Sequence, residues 1–294
     1  MSLLTIVIPV YNEQESLDMF LPEVIEHCKS EGYHLVIVND GSKDNSLNIL
    51  NSLQSKSDFD FTIISHKLNK GYGGALKTGI INSSTDYLIT IDADGQHYLE
   101  DVDLLFQKTL STDADLIVGS RKAIKSATFA RGIGKSIIRG IAKLLMTVPI
   151  YDINSGMKIY NTGLVKSYLH LTPNNMSFSD TIALVFIHNR HLVLEEPIRL
   201  KDRYAGTSTI GVKTAFDTVL EIINIIVLFN PMRIFIPVSL FCLLTGLFWG
   251  SYIFILGRGV SVGASTLIIS GTIIFLLGLI AEQLSALRKQ KVIN

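Results

Sequence analysis

The 294-residue chain predicts an α/β fold on a mostly parallel sheet, followed by interfacial amphipathic helices and a two-helix transmembrane hairpin. Three observations predict it. Up to about residue 210, short runs rich in Val and Ile alternate with polar, helix-length segments, the pattern of strands joined by crossover helices. The polar motifs fall at the carboxyl ends of those strands, where such sheets bind ligands. Finally, Ile234–Leu256 and Val260–Ala281 carry no charged residue, and each exceeds the roughly 20 residues needed to cross a bilayer.

The strands are expected at Thr5–Val10, Leu35–Asn39, Phe61–Ser65, Tyr87–Ile91 and Asp115–Gly119. The intervening helices are expected at about 15–30, 44–56, 72–82 and 100–110. Pro9 has no amide hydrogen, so it is expected to end pairing of the first strand. Within 129–148, Arg131, Lys135, Arg139 and Lys143 recur every four residues opposite Ile133, Ile137, Ile141, Leu144 and Leu145. A basic amphipathic helix of this kind reads as a membrane-surface element, with an ordinary solvated helix as the alternative. A second amphipathic segment at 211–230 runs to Pro231, which breaks the chain into the first span. The organisation expected is a domain over 1–210, a juxtamembrane helix over 211–230, and a hairpin with a basic tail over 231–294.

Formal net charge is +0, so bulk electrostatics give no reason to expect nucleic acid as a partner. The two cysteines, Cys28 and Cys242, fall in a predicted helix and an apolar span. A disulfide framework is not expected, and a reducing compartment fits. Residues 1–10 lack the basic start of a signal peptide. Arg233 precedes the first span and Arg288, Lys289 and Lys291 follow the second, against Arg258 alone in the connector. The positive-inside rule then places the large domain on the cytoplasmic face of an integral membrane protein.

The chemistry is expected at four motifs. Pro9-Val10-Tyr11-Asn12-Glu13 ends the first strand, and Asn39-Asp40-Gly41-Ser42-Lys43-Asp44 ends the second. Asp40 at a strand tip can accept from a base imide or a ribose hydroxyl, whereas Asp44 reads as a helix N-cap. Asn69–Gly79 is a glycine-rich entry to a helix, whose amides, with Lys77, could hold phosphate. A plain flexible loop is the competing reading, and the Walker pattern is absent.

Asp92 and Asp94, two residues apart after a buried strand, point the same way in an extended segment. Their mutual repulsion is relieved by a hard cation, Mg²⁺ or Mn²⁺, that also takes phosphate oxygens. Gln96 is a further ligand on this reading, and His97 a structural, hydrogen-bonded residue. A solvated acidic turn is the alternative. Later come Gly119-Ser120-Arg121, Asn154-Ser155-Gly156, Phe178-Ser179-Asp180 and Arg203–Ser208. Arginines beside small residues suit phosphate contacts.

Read in order, these motifs resemble family 2 glycosyltransferases of the GT-A fold. The two-helix hairpin narrows the resemblance to the polyprenyl-phosphate glycosyltransferases, which include dolichol-phosphate mannose synthases and undecaprenyl-phosphate glucosyltransferases. The resemblance covers essentially the whole chain. It implies that Pro9, Tyr11, Glu13 and Asp40 line a nucleotide pocket, with Asp92, Asp94 and Gln96 around the metal and donor diphosphate. It implies that Arg121 and Arg131 lie near the lipid phosphate, with Lys135 beside them, and that Arg203 and Ser208 close over the diphosphate. Asp180 would face the sugar, binding hydroxyls or serving as a base. Gly95 stands where mannose synthases carry Leu, which weakens a mannosyl assignment.

The expected reaction is metal-dependent, inverting transfer of a hexosyl group from a nucleotide diphosphate sugar to polyprenyl phosphate. A UDP-sugar is favoured, although GDP-mannose also fits, and a bacterial inner membrane is the favoured location. A homo-oligomer is compatible with such a hairpin, but no interface is legible. Transfer to a saccharide acceptor, or a non-catalytic membrane scaffold, are the rival functions.

Overall fold

The computed structural model describes residues 4–121, 149–201, 227 and 230–290. The expected basic helix at 129–148, with Arg131 and Lys135, lies outside them. So do Arg203, Ser208 and nearly all of 211–230. The described residues divide into two compact units, one carrying 4–121 and 149–201 and the other 230–290.

The first unit is built on a seven-stranded sheet: β1 (Leu4–Val10), β2 (His34–Asn39), β3 (Thr62–Ser65), β4 (Tyr87–Thr90), β5 (Leu116–Ser120), β6 (Lys158–Asn161) and β7 (Val193–Pro197). The spatial order is β3-β2-β1-β4-β6-β5-β7. β6 runs antiparallel between β4 and β5, and every other pair is parallel. The helices are α1 (Gln14–Glu31), α2 (Ser46–Lys56), α3 (Tyr72–Asn82), α4 (Leu99–Thr112), α5 (Thr162–Tyr168) and α6 (Phe178–His188).

All seven residues of β1 are buried, as a strand covered on both faces requires. Its side chains alternate between layers. Leu4, Ile6 and Ile8 join Leu17, Phe20, Leu21 and Val24 of α1 and Val102 and Leu105 of α4 in one core. On the opposite face, Gly79 of α3 packs so closely on Val7 of β1 that no Cβ would fit. Truncating fully buried Phe20 to Ala should cost about 3–5 kcal/mol. Gly32, at φ +67°, ends α1, with its amide donating to Cys28 O. Cys28 is free and buried, and burial pushes its thiol up to about 12.

The expected strands and first four helices are present with small shifts of their ends, and two features depart from expectation. Pro9 does not end the strand: pairing with β4 stops at Val7, whereas pairing with β2 continues through Pro9↔Val38 to Val10↔Asn39. The missing amide therefore affects one edge only. The sheet also gains β6 and β7, both short and carrying polar residues, and so without a strong alternating signal.

The second unit is a helical hairpin, α7 (Met232–Ile255) and α8 (Val262–Gln290). Both helices are long and apolar enough to cross a membrane, and only 11 % and 17 % of their most apolar stretches are buried. Core helices of a soluble protein would be mostly covered, so this low burial fits membrane-spanning helices better. The connector turns through Gly257 and Gly259, both at positive φ. The helices meet at glycines: a Cβ on Gly246 would lie 2.9 Å from Ile268 Cγ1, and one on Gly278 2.6 Å from Phe235 Cβ. Small residues at such contacts let apolar helices pack closely without a hydrophobic driving force.

Candidate active site

Parallel pairing brings the carboxyl ends of β1, β2 and β4 to one edge, and a cleft of ≈ 630 Å³ opens there. Pro9, Tyr11, Glu13, Asp40, Asp92 and Asp94 are among the residues that line it. Six of the expected site residues thus converge, from segments up to 85 positions apart. Tyr11, 42 % exposed, presents an aromatic face suited to a base or sugar.

The turn after β2 is held by side chains. Asp44 accepts from Ser46 N (3.0 Å) and Ser46 Oγ (2.6 Å) through Oδ1, and from Gln14 N (3.1 Å) through Oδ2. It therefore serves amides at the starts of both α1 and α2, although the N-cap position of α2 itself is Asn45, one residue later than the capping reading expects. Burial alone would raise its pKa, but these hydrogen bonds outweigh burial and hold it below the usual carboxylate value. Glu13 starts α1: its carbonyl accepts from Ser16 N and Leu17 N, and its carboxylate accepts from Ser16 Oγ at 2.9 Å.

Asp40 lines the cleft, but its carboxylate is turned to the protein. It is 2 % exposed. Oδ1 accepts from His66 Nδ1 (2.6 Å) and Lys70 N (2.9 Å), and Oδ2 from Gly71 N (2.9 Å). These bonds occupy the oxygens that a base or ribose was expected to meet. The structure gives Asp40 the task of fixing the loop before α3. His66, a partner that the motif reading missed, is itself held at Nε2 by Thr78 Oγ1 at 2.9 Å. Gly41, at φ +68°, follows because the 68–69 backbone leaves no room, 2.9 Å from where a Cβ would be.

The glycine-rich entry to α3 is likewise used for packing. Gly73 N donates to Asn175 O (3.2 Å) and Gly74 N to Asn174 O (3.0 Å). A Cβ on Gly71 would lie 2.5 Å from Asn174 O. The amides expected to hold phosphate thus bind a neighbouring loop. Lys77 is committed to the same loop, donating to Thr172 O (2.5 Å) and Asn174 Oδ1 (2.8 Å), and does not line the cleft. The glycines and the lysine are there because two backbones approach closely.

Asp92 and Asp94 remain as the open carboxylates of the floor. Tyr72 donates to Asp92 Oδ1 at 2.8 Å, and His97 Nε2 approaches Oδ2 at 3.9 Å. The backbone of Gly156 packs against the same carboxylate, leaving no room for a Cβ. Burial would raise the Asp92 pKa, but His97, Tyr72 and Arg121 together hold it below the ordinary value. Its side chain is still 36 % exposed to the cleft. Asp94 Oδ1 accepts from Gln96 N at 3.2 Å. Gln96, expected as a metal ligand, instead points its amide nitrogen at Lys201 O (3.4 Å) and does not line the cleft. His97 is buried as expected, 4 % exposed, with Nε2 3.9 Å from Asp92 Oδ2, but the hydrogen bond expected of it is not made at Nδ1.

A hard divalent cation fits this donor set: two carboxylates line one cleft, one of them oriented by three neighbours yet open. Among the described residues there is no cluster of three or more His, Cys, Asp or Glu that would complete a site alone. The remaining positions would fall to water and phosphate, as Mg²⁺ and Mn²⁺ commonly accept.

Arg121, at the end of β5, is gripped by Asp152: Nε at 2.7 Å to Oδ2 and Nη2 at 2.8 Å to Oδ1, with Nη2 also 3.0 Å from Asn154 Oδ1. This bidentate pair orients a guanidinium that stays 32 % exposed. Asp180 lies in the first turn of α6 and acts electrostatically on Arg121. Neither residue lines the cleft.

A Rossmann-like sheet with an acidic cleft at its carboxyl edge defines a GT-A glycosyltransferase domain. The chain belongs to glycosyl transferase family 2, whose profile matches residues 5–169, and the profile of the GtrB C-terminal hairpin matches residues 230–287. It is 26 % identical over 233 residues to an undecaprenyl-phosphate 4-deoxy-4-formamido-L-arabinose transferase of Edwardsiella ictaluri, covering 78 % of this chain and 69 % of that one. It is 29 % identical over 183 residues to a UDP-N-acetylglucosamine–dolichyl-phosphate N-acetylglucosaminyltransferase of Methanococcus voltae, covering 56 % and 71 %. Among solved structures, glucosyl-3-phosphoglycerate synthase from Mycobacterium tuberculosis with Mn²⁺, UDP-glucose and phosphoglyceric acid superposes with a TM-score of 0.56 at 14 % identity, over 76 % of this chain and 80 % of that one. That likeness shows the fold.

Proposed function

We propose that the protein transfers a hexosyl group from a nucleotide diphosphate sugar to polyprenyl phosphate, with inversion at the anomeric carbon. The observation that carries this reading is the occurrence in one chain of an acidic GT-A cleft and an apolar hairpin of the GtrB type. The activities of the polyprenyl-phosphate relatives support the acceptor. The UDP-sugars named with one relative and one structural neighbour favour a UDP-linked donor. The domain would lie on the cytoplasmic face of a membrane.

In this mechanism Tyr11, Glu13 and the turn around Asp40 receive the nucleoside, with Pro9 shaping the floor. Asp92 and Asp94 would hold Mg²⁺ or Mn²⁺, which supplies Lewis-acid stabilisation of the departing diphosphate. Arg121 faces the acceptor phosphate, aided by Arg131 and Lys135, while Arg203 and Ser208 close on the diphosphate. One oxygen of the lipid phosphate attacks the anomeric carbon as its bond to the diphosphate breaks. A phosphate monoester, with a second pKa of about 6, is already largely ionised at neutral pH. No general base is required, and the chain's work is positioning and charge stabilisation. Asp180 then has no proton to take, and its role is electrostatic.

Membranes containing the protein, incubated with labelled nucleotide sugars and extracted for lipid, test the reading. Label on a monophosphate lipid is the result expected. Label in a polymer would indicate a saccharide acceptor, and no label would favour a scaffold. Asp94→Ala should abolish metal-dependent transfer while leaving the protein in the membrane fraction, and full activity in that variant would remove the metal from the mechanism.

A further inference from the structure

Lys158 is the unexpected residue of the first unit. It sits on β6 in the middle of the sheet, paired with Thr90 of β4 on one side and Val118 of β5 on the other. It is 0 % exposed. Lysine is almost never fully buried without a partner, and an aliphatic residue would fill a sheet position at lower desolvation cost. Its ammonium donates from Nζ to Ser155 O at 2.5 Å.

That carbonyl belongs to the Asp152–Gly156 turn, which touches both charged groups of the site. At one end of the turn Asp152 grips Arg121 through two nitrogens. At the other, the backbone of Gly156 abuts the Asp92 carboxylate. The turn is tethered from three strands: by Lys158 of β6, by Thr90 Oγ1 of β4 to Gly156 O (2.8 Å), and by Glu195 of β7 to Asp152 N (2.9 Å) and Tyr151 N (3.0 Å).

The geometry points to Lys158 as a positioning residue: it anchors the Asp152–Gly156 turn from beneath, and through that turn it sets Arg121 and the Asp92 carboxylate for transfer. The assignment of those two groups to the acceptor phosphate and the donor diphosphate rests on the function proposed above. The surrounding charges agree with the placement. Burial lowers Lys158 to about 8, while Asp180, Asp152 and Asp92 pull the other way and Arg121 adds to the lowering. Lys158 is the buried counter-charge beneath those carboxylates.

The test uses the full-length protein in lipid nanodiscs with the donor found in the labelling experiment. Lys158→Met removes the ammonium at similar volume, and Thr90→Val removes a second tether of the same turn without touching charge. Lys158→Met should lower kcat about 10- to 100-fold with the donor KM within about threefold, the pattern of an interaction realised in the transition state. Thr90→Val should lower kcat less, in the same direction. The double variant should fall short of the product of the two effects, as for residues that act through one element. Hydrogen–deuterium exchange over 152–157 should accelerate in each variant, and in Thr90→Val the melting temperature of the whole should move little; Lys158→Met should also lose global stability, as removal of a buried counter-charge requires. A Lys158→Met enzyme with kcat within twofold of the parent, or with unchanged exchange in the turn, overturns the proposal. Should Lys158→Met fail to fold, Thr90→Val decides alone, and unchanged kcat there has the same force. A parent protein that labels no lipid defeats the proposed function, and exchange in the turn then decides whether Lys158 anchors it.

Discussion

At Asp40 three donors converge on one buried carboxylate, and a strand-end acid becomes part of the scaffold. A position at a strand's carboxyl end places a side chain near the site, but local donors decide what its oxygens meet. His66 lies 26 residues away, at a spacing that no motif signals. Asp40→Asn keeps the size but weakens the charge-assisted bonds to His66, Lys70 and Gly71. It should lower folding stability by about 2–4 kcal/mol, the range for damaging a buried, hydrogen-bonded charge. Thermal unfolding should register this loss, with donor KM in the folded fraction little changed. Asp152 makes a parallel case with a pH signature. Burial pushes its carboxyl up, but the hydrogen bonds and charge of Arg121 pull it further down, so its folded pKa lies below the ordinary one. Its contribution is therefore fully present above the unfolded value of about 3.9 and is lost as pH falls through the lower folded value. The stability difference between the parent and Asp152→Asn should stay constant from neutral pH to about 5 and shrink below about 4. Melting curves across that range would check it, and a difference that widened on acidification would mean that Asp152 is not the stabilised anion.

Helix α3 shows how one pattern can have two causes. Glycines and a lysine at a helix start read as a phosphate cradle because free amides and positive charge attract anions. The same residues serve when another backbone must come close. Here the 172–175 loop takes the amides of Gly73 and Gly74 and the ammonium of Lys77. Composition cannot separate the two, because the competing loop lies about 100 residues further along and is brought in by the fold. Lys77→Met separates them. It should cost about 1–2 kcal/mol, the scale of a partly exposed charged hydrogen bond, and should leave UDP affinity nearly unchanged. A large loss of UDP binding at unchanged melting temperature would restore the phosphate role. Gly73→Ala should destabilise despite Ala's better helix propensity, because its Cβ would fall 2.6 Å from Pro173 O and 2.8 Å from Phe178 Cβ. Strands β1, β2, β4 and β5 were legible because strands largely buried in the sheet are apolar runs, and β3, at the sheet's edge, through its Ile63-Ile64 pair. β6 was not: its four residues begin with Lys158, the residue a propensity argument would place on the surface.

Across the whole chain, the acidic motif at Asp92 and Asp94 and the two apolar spans were legible because each depends on short-range sequence. Two of the clamps on Asp92 were not, since Tyr72 and Gly156 reach it from segments 20 and 64 positions away, whereas His97 belongs to the motif itself. The basic flanks of the hairpin carry one further consequence. Arg233 lies in the first turn of α7, Arg288 and Lys289 lie in the last turn of α8 and Lys291 follows in the sequence, with Arg258 between the two helices. On the topology proposed above, this excess would keep both flanks in the cytoplasm, and the connector would emerge on the far side. Val260 in that connector is 82 % exposed, so a cysteine there would be free to react. The native thiols make a low background: Cys28 is buried and raised to about 12, and Cys242 is inside a span. Val260→Cys should therefore react with a membrane-impermeant maleimide in intact spheroplasts. A cysteine at exposed Lys56 should react only after permeabilisation. The reverse pattern would place the acidic cleft outside the cell, away from cytoplasmic nucleotide sugars, and would defeat the proposed reaction together with the topology.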